Sequence, residues 1–290
     1  MSGKNEELIY IIETIINKGK ARAQNLTMMP VYKLLYLAYL RLKEKNIDIH
    51  LPYSWYLHGA MVESSAFTRQ TGLALGAYFH ENNTADVVYS YSSTLTISEN
   101  TQYEINQTID TLLDIYIVKN RVNLTLLLKD VYATAPTEFQ RIYKNKLLPC
   151  TSNKDTNRLI PILKELTANY PHEKYEDIFP RFLRFEELIN LALETKADEE
   201  DIKELAKIFW NYFAAVLRSR ENENLTEEEI QQLKTFAEKK ETEYDLLTFD
   251  YEEKYTLQLP SVDIHTLSDT EQELLKDIST IAYNACTSER

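Results

Sequence analysis

Only five glycines, at positions 3, 19, 59, 72 and 76, occur in 290 residues. A chain this poor in Gly, with eight Pro besides, lacks the turn residues of an all-β sandwich. It also lacks the glycine loops that cradle phosphates. Long helices joined by few turns are what remain. With 44% hydrophobic residues the chain can bury a core of its own, and two cysteines, Cys150 and Cys286, are too few for a disulfide framework.

Charge divides the chain. Residues 1–150 carry 15 basic and 14 acidic side chains, whereas residues 151–290 carry 17 and 31. An acidic half of that size repels a phosphate backbone, so nucleic acid is a disfavoured partner and a basic protein surface a favoured one. No apolar run is long enough to span a bilayer. The opening Met-Ser-Gly-Lys-Asn-Glu-Glu-Leu has no signal-peptide character, and a cytoplasmic location is expected.

Hydrophobic spacing predicts helices over about 6–18, ended by Gly19, and 27–46, capped by Thr27. The segment 47–57 alternates and contains Pro52, so it reads as extended. His58-Gly59 then makes a turn, and 62–70 reads as a short helix. Residues 76–97 read as an antiparallel β-hairpin, because Val87, Tyr89, Tyr91, Leu95 and Ile97 share one parity. Helices follow over about 102–118, 124–132 and 137–146. Pro149 to Thr156 is polar and rich in turn formers, which suggests a boundary between 1–150 and 151–290. The acidic region reads as helices at about 157–169, 174–195, 199–220, 226–244 and 269–286, with a short strand at 255–259. The Glu-rich stretch between 198 and 243 is the solvated face of such helices. The fold class expected is mainly α (α+β), a helical bundle with one small antiparallel β-hairpin in the N-terminal half.

Catalytic vocabulary is sparse. The sequence has no Gly-x-Ser-x-Gly elbow, no His-Glu-x-x-His and no Cys-x-x-Cys, and its five His never fall at helical ligand spacing. No catalytic residue, metal or other cofactor is indicated. The unusual chemistry is concentrated in Leu51-Pro-Tyr-Ser-Trp-Tyr-Leu-His-Gly. Trp55, Tyr56 and His58 cluster where the chain must turn at Gly59. Exposed aromatic and imidazole groups are typical interface anchors, so Trp55, Tyr56, His58 and Gly59 form the candidate partner-binding site. Parity places Trp55 with Leu51 and Tyr53, and Tyr56 with Ser54 and His58.

Lys33-Leu-Leu-Tyr-Leu-Ala38, followed by Trp55-x-x-His58-Gly59-Ala60-Met61-Val62, resembles the Panacea domain, known also through phage-associated GepA-like proteins. Leu126-Leu-Leu-Lys-Asp-Val-Tyr-Ala-Thr-Ala-Pro136 is similar to a second stretch of that family. The likeness covers about residues 8–146. Ala60 stands where the family has Pro, and Pro-Tyr-Ser precedes Trp55 where an acidic-Ala pair is usual, which marks a diverged relative. The resemblance implies a non-enzymatic module that neutralises or regulates a partner protein, as in toxin–antitoxin or antiviral-defence systems. Two other roles are weighed against it. One is a winged-helix-like nucleic-acid-binding regulator built on 27–97, with Lys18, Lys20, Arg22 and Lys33 as its basic edge. The other is an enzyme with a dispersed active site.

Overall fold

A computed structural model describes residues 5–24, 26–87, 95–152 and 158–257. The first helix, α1 (Glu6–Arg22), starts where the Asn5 side chain accepts from the Leu8 amide at 3.1 Å. It does not stop at Gly19. A Cβ there would lie 2.8 Å from Leu26 Cδ2, so Gly19 lets the returning chain approach closely while the helix continues. Helix α2 (Met28–Glu44) begins after Thr27 as expected, but the Thr27 side chain makes no capping bond. Val31, Leu34, Leu35, Ala38 and Leu42 are buried, and so are Tyr36, Leu37 and Tyr39. A helix covered on this many sides is central, and α2 packs against α1 and the elements that follow.

The hairpin lies earlier than the sequence suggests. Strands β1 (Tyr53–Tyr56) and β2 (Gly59–Val62) pair antiparallel, from Tyr53↔Val62 to Tyr56↔Gly59, around the loop Leu57-His58. Helix α3 (Ser64–Thr71) follows. In the expected hairpin at 76–97, Leu75–Tyr78 instead forms a 3-10 turn, and the bridges Phe79↔Ala85 and Thr27↔Thr84 are isolated. Residues 88–94 of its second strand lie outside the described residues.

Helix α4 (Glu99–Tyr116) and the short pair β3 (Ile117–Val118) and β4 (Arg121–Val122) lead into α5 (Leu124–Ala133). Then come α6 (Glu138–Ile142), a π turn over Tyr143–Leu147, and α7 (Leu148–Ser152). Pro149 to Ser152, expected as linker, are therefore helical, with Cys150 and Thr151 buried. Helices α8 (Leu159–Ala168), α9 (His172–Tyr175), α10 (Phe179–Glu194) and α11 (Glu199–Arg220) follow. Next are β5 (Asn222–Glu223) and α12 (Glu227–Thr256). Helix α12 outruns its expected end and absorbs Tyr255, which was expected in a strand. Thr256 closes α12 and Leu257 caps it, while 258–259 and the helix expected at 269–286 lie outside the described residues. The mainly α class with a small antiparallel sheet is the fold observed. Among the described residues no helix is long and apolar enough to cross a membrane.

Two features of the acidic half position the site. Strand β5 adds to the free edge of β1, giving the order β2-β1-β5, with Tyr53↔Glu223 and Ser54↔Asn222 in register. Helix α11 packs on β1 and buries the second face of the sheet. Its own far side enters an aromatic cluster in which the Phe209 ring lies 4.9 Å from Phe185 and 5.7 Å from both Tyr143 and Phe182. Such rings carry large buried areas and fix one another's orientation, which makes α11 a rigid support for the hairpin. In α12 the buried residues Leu233, Tyr244 and Tyr255 recur every eleventh position, and so do Ala237 and Thr248. That period keeps one stripe of a straight helix on α11 and leaves the acidic remainder in solvent.

Candidate functional site

The turn between β1 and β2 is held from two sides. The Leu57 carbonyl accepts from Trp210 Nε1 on α11 and from the Tyr132 hydroxyl on α5, both at 3.2 Å. Gly59 follows at φ +86°, and a Cβ there would meet Val131 Cγ1 at 2.9 Å. Backbone conformation and close packing both require glycine. Gly59→Ala is expected to lose about 1–3 kcal/mol through backbone strain and local overpacking. Thermal denaturation of that variant checks this, and an unchanged melting temperature would contradict it.

This turn faces the first two turns of α2 across a cavity of about 600 Å³. Helix α2 contributes Met28, Met29, Tyr32 and Lys33, and Thr27 stands just before it. The hairpin contributes Tyr56, His58, Gly59 and Met61, and Asn82 and Asn83 complete the rim. His58 and Met29 are exposed at the mouth, while Tyr32 and Met61 are half-buried in the walls. Lys33 is only 3% exposed, and its Nζ donates to the Ala60 carbonyl at 2.6 Å.

Electrostatics single out this cavity. Burial, aided by the charge of Lys144, pushes the Lys33 amine down to about 7. Partial burial and the charges of Lys144 and Lys33 hold His58 below the ordinary imidazole value. Lys144 comes from the π turn, which aims it so that Nζ sits 5.8 Å from the Trp210 ring centre, and burial lowers its own pKa. Burial also lifts the Tyr32 hydroxyl to about 12. Among the described residues, no three of His, Cys, Asp and Glu come together as a metal-ligand set.

Of the four residues expected in the site, Tyr56, His58 and Gly59 line the cavity and Trp55 does not. Trp55 is 2% exposed, packed edge-on against Tyr36 at 6.1 Å and Tyr132 at 5.9 Å. Its place in a partner contact is corrected to a core position, because alternation along β1 turns it away from Tyr56. Ser54, on the parity of Tyr56, is also fully buried, since α11 covers that face. The Ser54 hydroxyl donates to Glu63, and Glu63 pairs with Arg218 through two bonds of 2.8 Å. The Arg218 guanidinium lies 5.1 Å from the centre of the Tyr56 ring and 5.7 Å from that of Phe236, clamping Tyr56 from behind. The basic edge expected at Lys18, Lys20 and Arg22 is paired instead. Lys18 and Arg22 meet Asp110 at 2.8 Å, Arg22 also meets Asp114 at 2.7 Å, and Lys20 meets Asp86.

Sequence reasoning missed Lys33 as a cavity residue, as well as Glu63 and Arg218. The one available signal was a lysine three residues after the buried Pro30 and four before the buried Leu37, on a face that should be apolar. No family model, curated protein or solved structure matches this chain.

Proposed function

We propose that this protein is a non-enzymatic recognition module that holds a partner protein inactive, in the manner of an antitoxin or defence component. The partner would be read at the cavity between α2 and the β1–β2 turn. The observation that carries the reading is the juxtaposition of an open, largely apolar cavity with an exposed imidazole and thioether at its mouth, on a turn anchored by α5 and α11. Such pre-formed concave sites with few polar groups suit anchoring side chains, and a clamped turn lowers the entropy lost on docking. The pairing of Lys18, Lys20 and Arg22 with aspartates leaves less basic surface for a phosphate backbone and favours this role over a nucleic-acid regulator.

The test is co-purification with the products of reading frames adjacent to its gene, followed by affinity measurement. His58→Ala and Met29→Ala are expected to weaken binding by about 1–3 kcal/mol each, roughly 5- to 150-fold, with unchanged melting temperatures. Wild-type affinity in both variants would move the contact surface elsewhere.

A further inference from the structure

We infer that the cavity is built to receive the C-terminal residue of the partner, an apolar side chain in its walls and the free carboxylate at Lys33. This rests on the cavity being the recognition site and adds what it recognises. The chain carries a formal charge of −13, yet among the described residues no Asp or Glu lines this cavity. The basic side chains lining it among the described residues are Lys33 and His58, and the charge of Lys144 acts on both. Lys33 lies inside the fold without an ion-pair partner among the described residues. An ammonium has three donors, and the one hydrogen bond found for it is to the Ala60 carbonyl. Burying a cation without its counter-charge is costly, and an arriving carboxylate would remove that cost.

A second feature points the same way. The N-terminus of the 17-residue α2 lies at this cavity; the Thr27 side chain makes no capping bond there, although the Asn83 carbonyl accepts from the Met28 amide at 3.0 Å and Pro30 has no N–H to offer. The positive end of the helix dipole therefore adds to the charge of the Lys33 ammonium. Around them stand Met28, Met29 and Met61 with the Tyr32 and Tyr56 rings, soft and apolar walls suited to a hydrophobic side chain. A terminal residue brings charge and apolar group on a single Cα, and capture of a chain end is an established recognition mode. An internal acidic residue would have to bring two flanking chain segments into the same space.

The linkage is directional. The titratable groups around Lys33 are His58 on the turn, Lys144 on the π turn, and Tyr32 and Tyr56 in the walls. With burial pushing its amine down to about 7 when the cavity is empty, Lys33 loses charge as pH rises through the neutral range. A carboxylate stabilises the ammonium, so binding takes up a proton and affinity falls as pH rises above 7.

The probes are N-acetylphenylalanine, N-acetylphenylalaninamide and a five-residue peptide ending in free phenylalanine, titrated into the full chain by calorimetry. The acid is expected to bind about tenfold or more tightly than the amide at pH 6.5. Its advantage should shrink as pH rises from 7 to 9, with a steepest slope of about tenfold per pH unit and a total loss no larger than the advantage itself. The peptide should bind more tightly than the small acid, and Lys33→Met should abolish the acid's preference. Because Lys33→Met could disturb the fold, the wild-type pH profile stands as an independent readout. Equal binding of acid and amide, no binding of either, a flat pH profile, or a preference surviving in folded Lys33→Met overturns the inference. A peptide no tighter than the small acid overturns the chain-end assignment. Loss of partner binding in His58→Ala without any acid preference keeps the recognition site and removes the carboxylate. Wild-type partner affinity in the His58 and Met29 variants removes the site itself.

Discussion

Arg218→Ala is expected to destabilise the protein by about 3–5 kcal/mol, because it leaves the Glu63 carboxylate buried without its counter-charge. Glu63 is 8% exposed at its side chain and accepts both Arg218 bonds as well as the Ser54 hydroxyl. Removing the guanidinium also removes the surface on which the Tyr56 and Phe236 rings rest. In a chain of this size the loss corresponds to a melting temperature lower by roughly 10 °C. Arg218→Lys should recover little, since a point charge cannot reproduce the two-bond fork. Glu63→Leu combined with Arg218→Met should recover much of the loss, because an apolar pair no longer strands a charge. An Arg218→Ala variant that melts with wild type would show that the pair does not hold β1 against α11.

Alkaline pH is expected to unfold the protein steeply. Burial, the leading cause in each case, raises the hydroxyl pKa of Tyr143, Tyr175, Tyr212, Tyr244 and Tyr255 above the ordinary value of 10. Between that value and the folded one, the unfolded chain has released its tyrosine protons and the folded chain has not. The unfolded state then binds fewer protons, so stability falls as pH rises. Each such group removes about 1.4 kcal/mol per pH unit, so five remove about 7. A fold stable by about 5–15 kcal/mol should therefore be lost between about pH 10.5 and 12. Lys33 works in the other direction. Its amine lies near 7 in the fold against 10.5 ordinarily, so the unfolded state binds more protons in that window. Stability should accordingly rise by about 2 kcal/mol from pH 7 to 9 before the tyrosines dominate. Denaturant titrations across this range, read beside tyrosinate absorbance, check both limbs. A tyrosinate midpoint near 10 in a chain that stays folded would contradict the burial.

The sequence revealed the two halves of the site unequally. Helix α2 and the turn at His58-Gly59 were both legible, one from an apolar period and the other from a rare glycine after alternating residues. Their apposition was not, because no local pattern states that the start of α2 faces a turn some thirty residues later. Lys33 read as part of a basic edge for the same reason. Trp55 enters the candidate site on aromatic clustering alone, whereas its parity with Leu51 and Tyr53 already points to the core face on which it packs against Tyr36. Strand β5 consists of Asn222 and Glu223 alone, two polar residues with no strand signature, and only the edge of β1 makes them a strand. At 76–97 the parity pattern placed a hairpin where Leu75–Tyr78 instead makes a 3-10 turn. The Glu63–Arg218 pair joins positions 155 apart, beyond the reach of any spacing rule.

The proposed function places the partner in the cavity between α2 and the β1–β2 turn. Amide hydrogen exchange on the purified complex, compared with the free protein, tests that placement residue by residue. The expected result is slowed exchange at residues 27–33 and 56–61, with the acidic helices between 198 and 243 unchanged. Protection confined to those helices, with 27–33 and 56–61 exchanging as in the free chain, would contradict it.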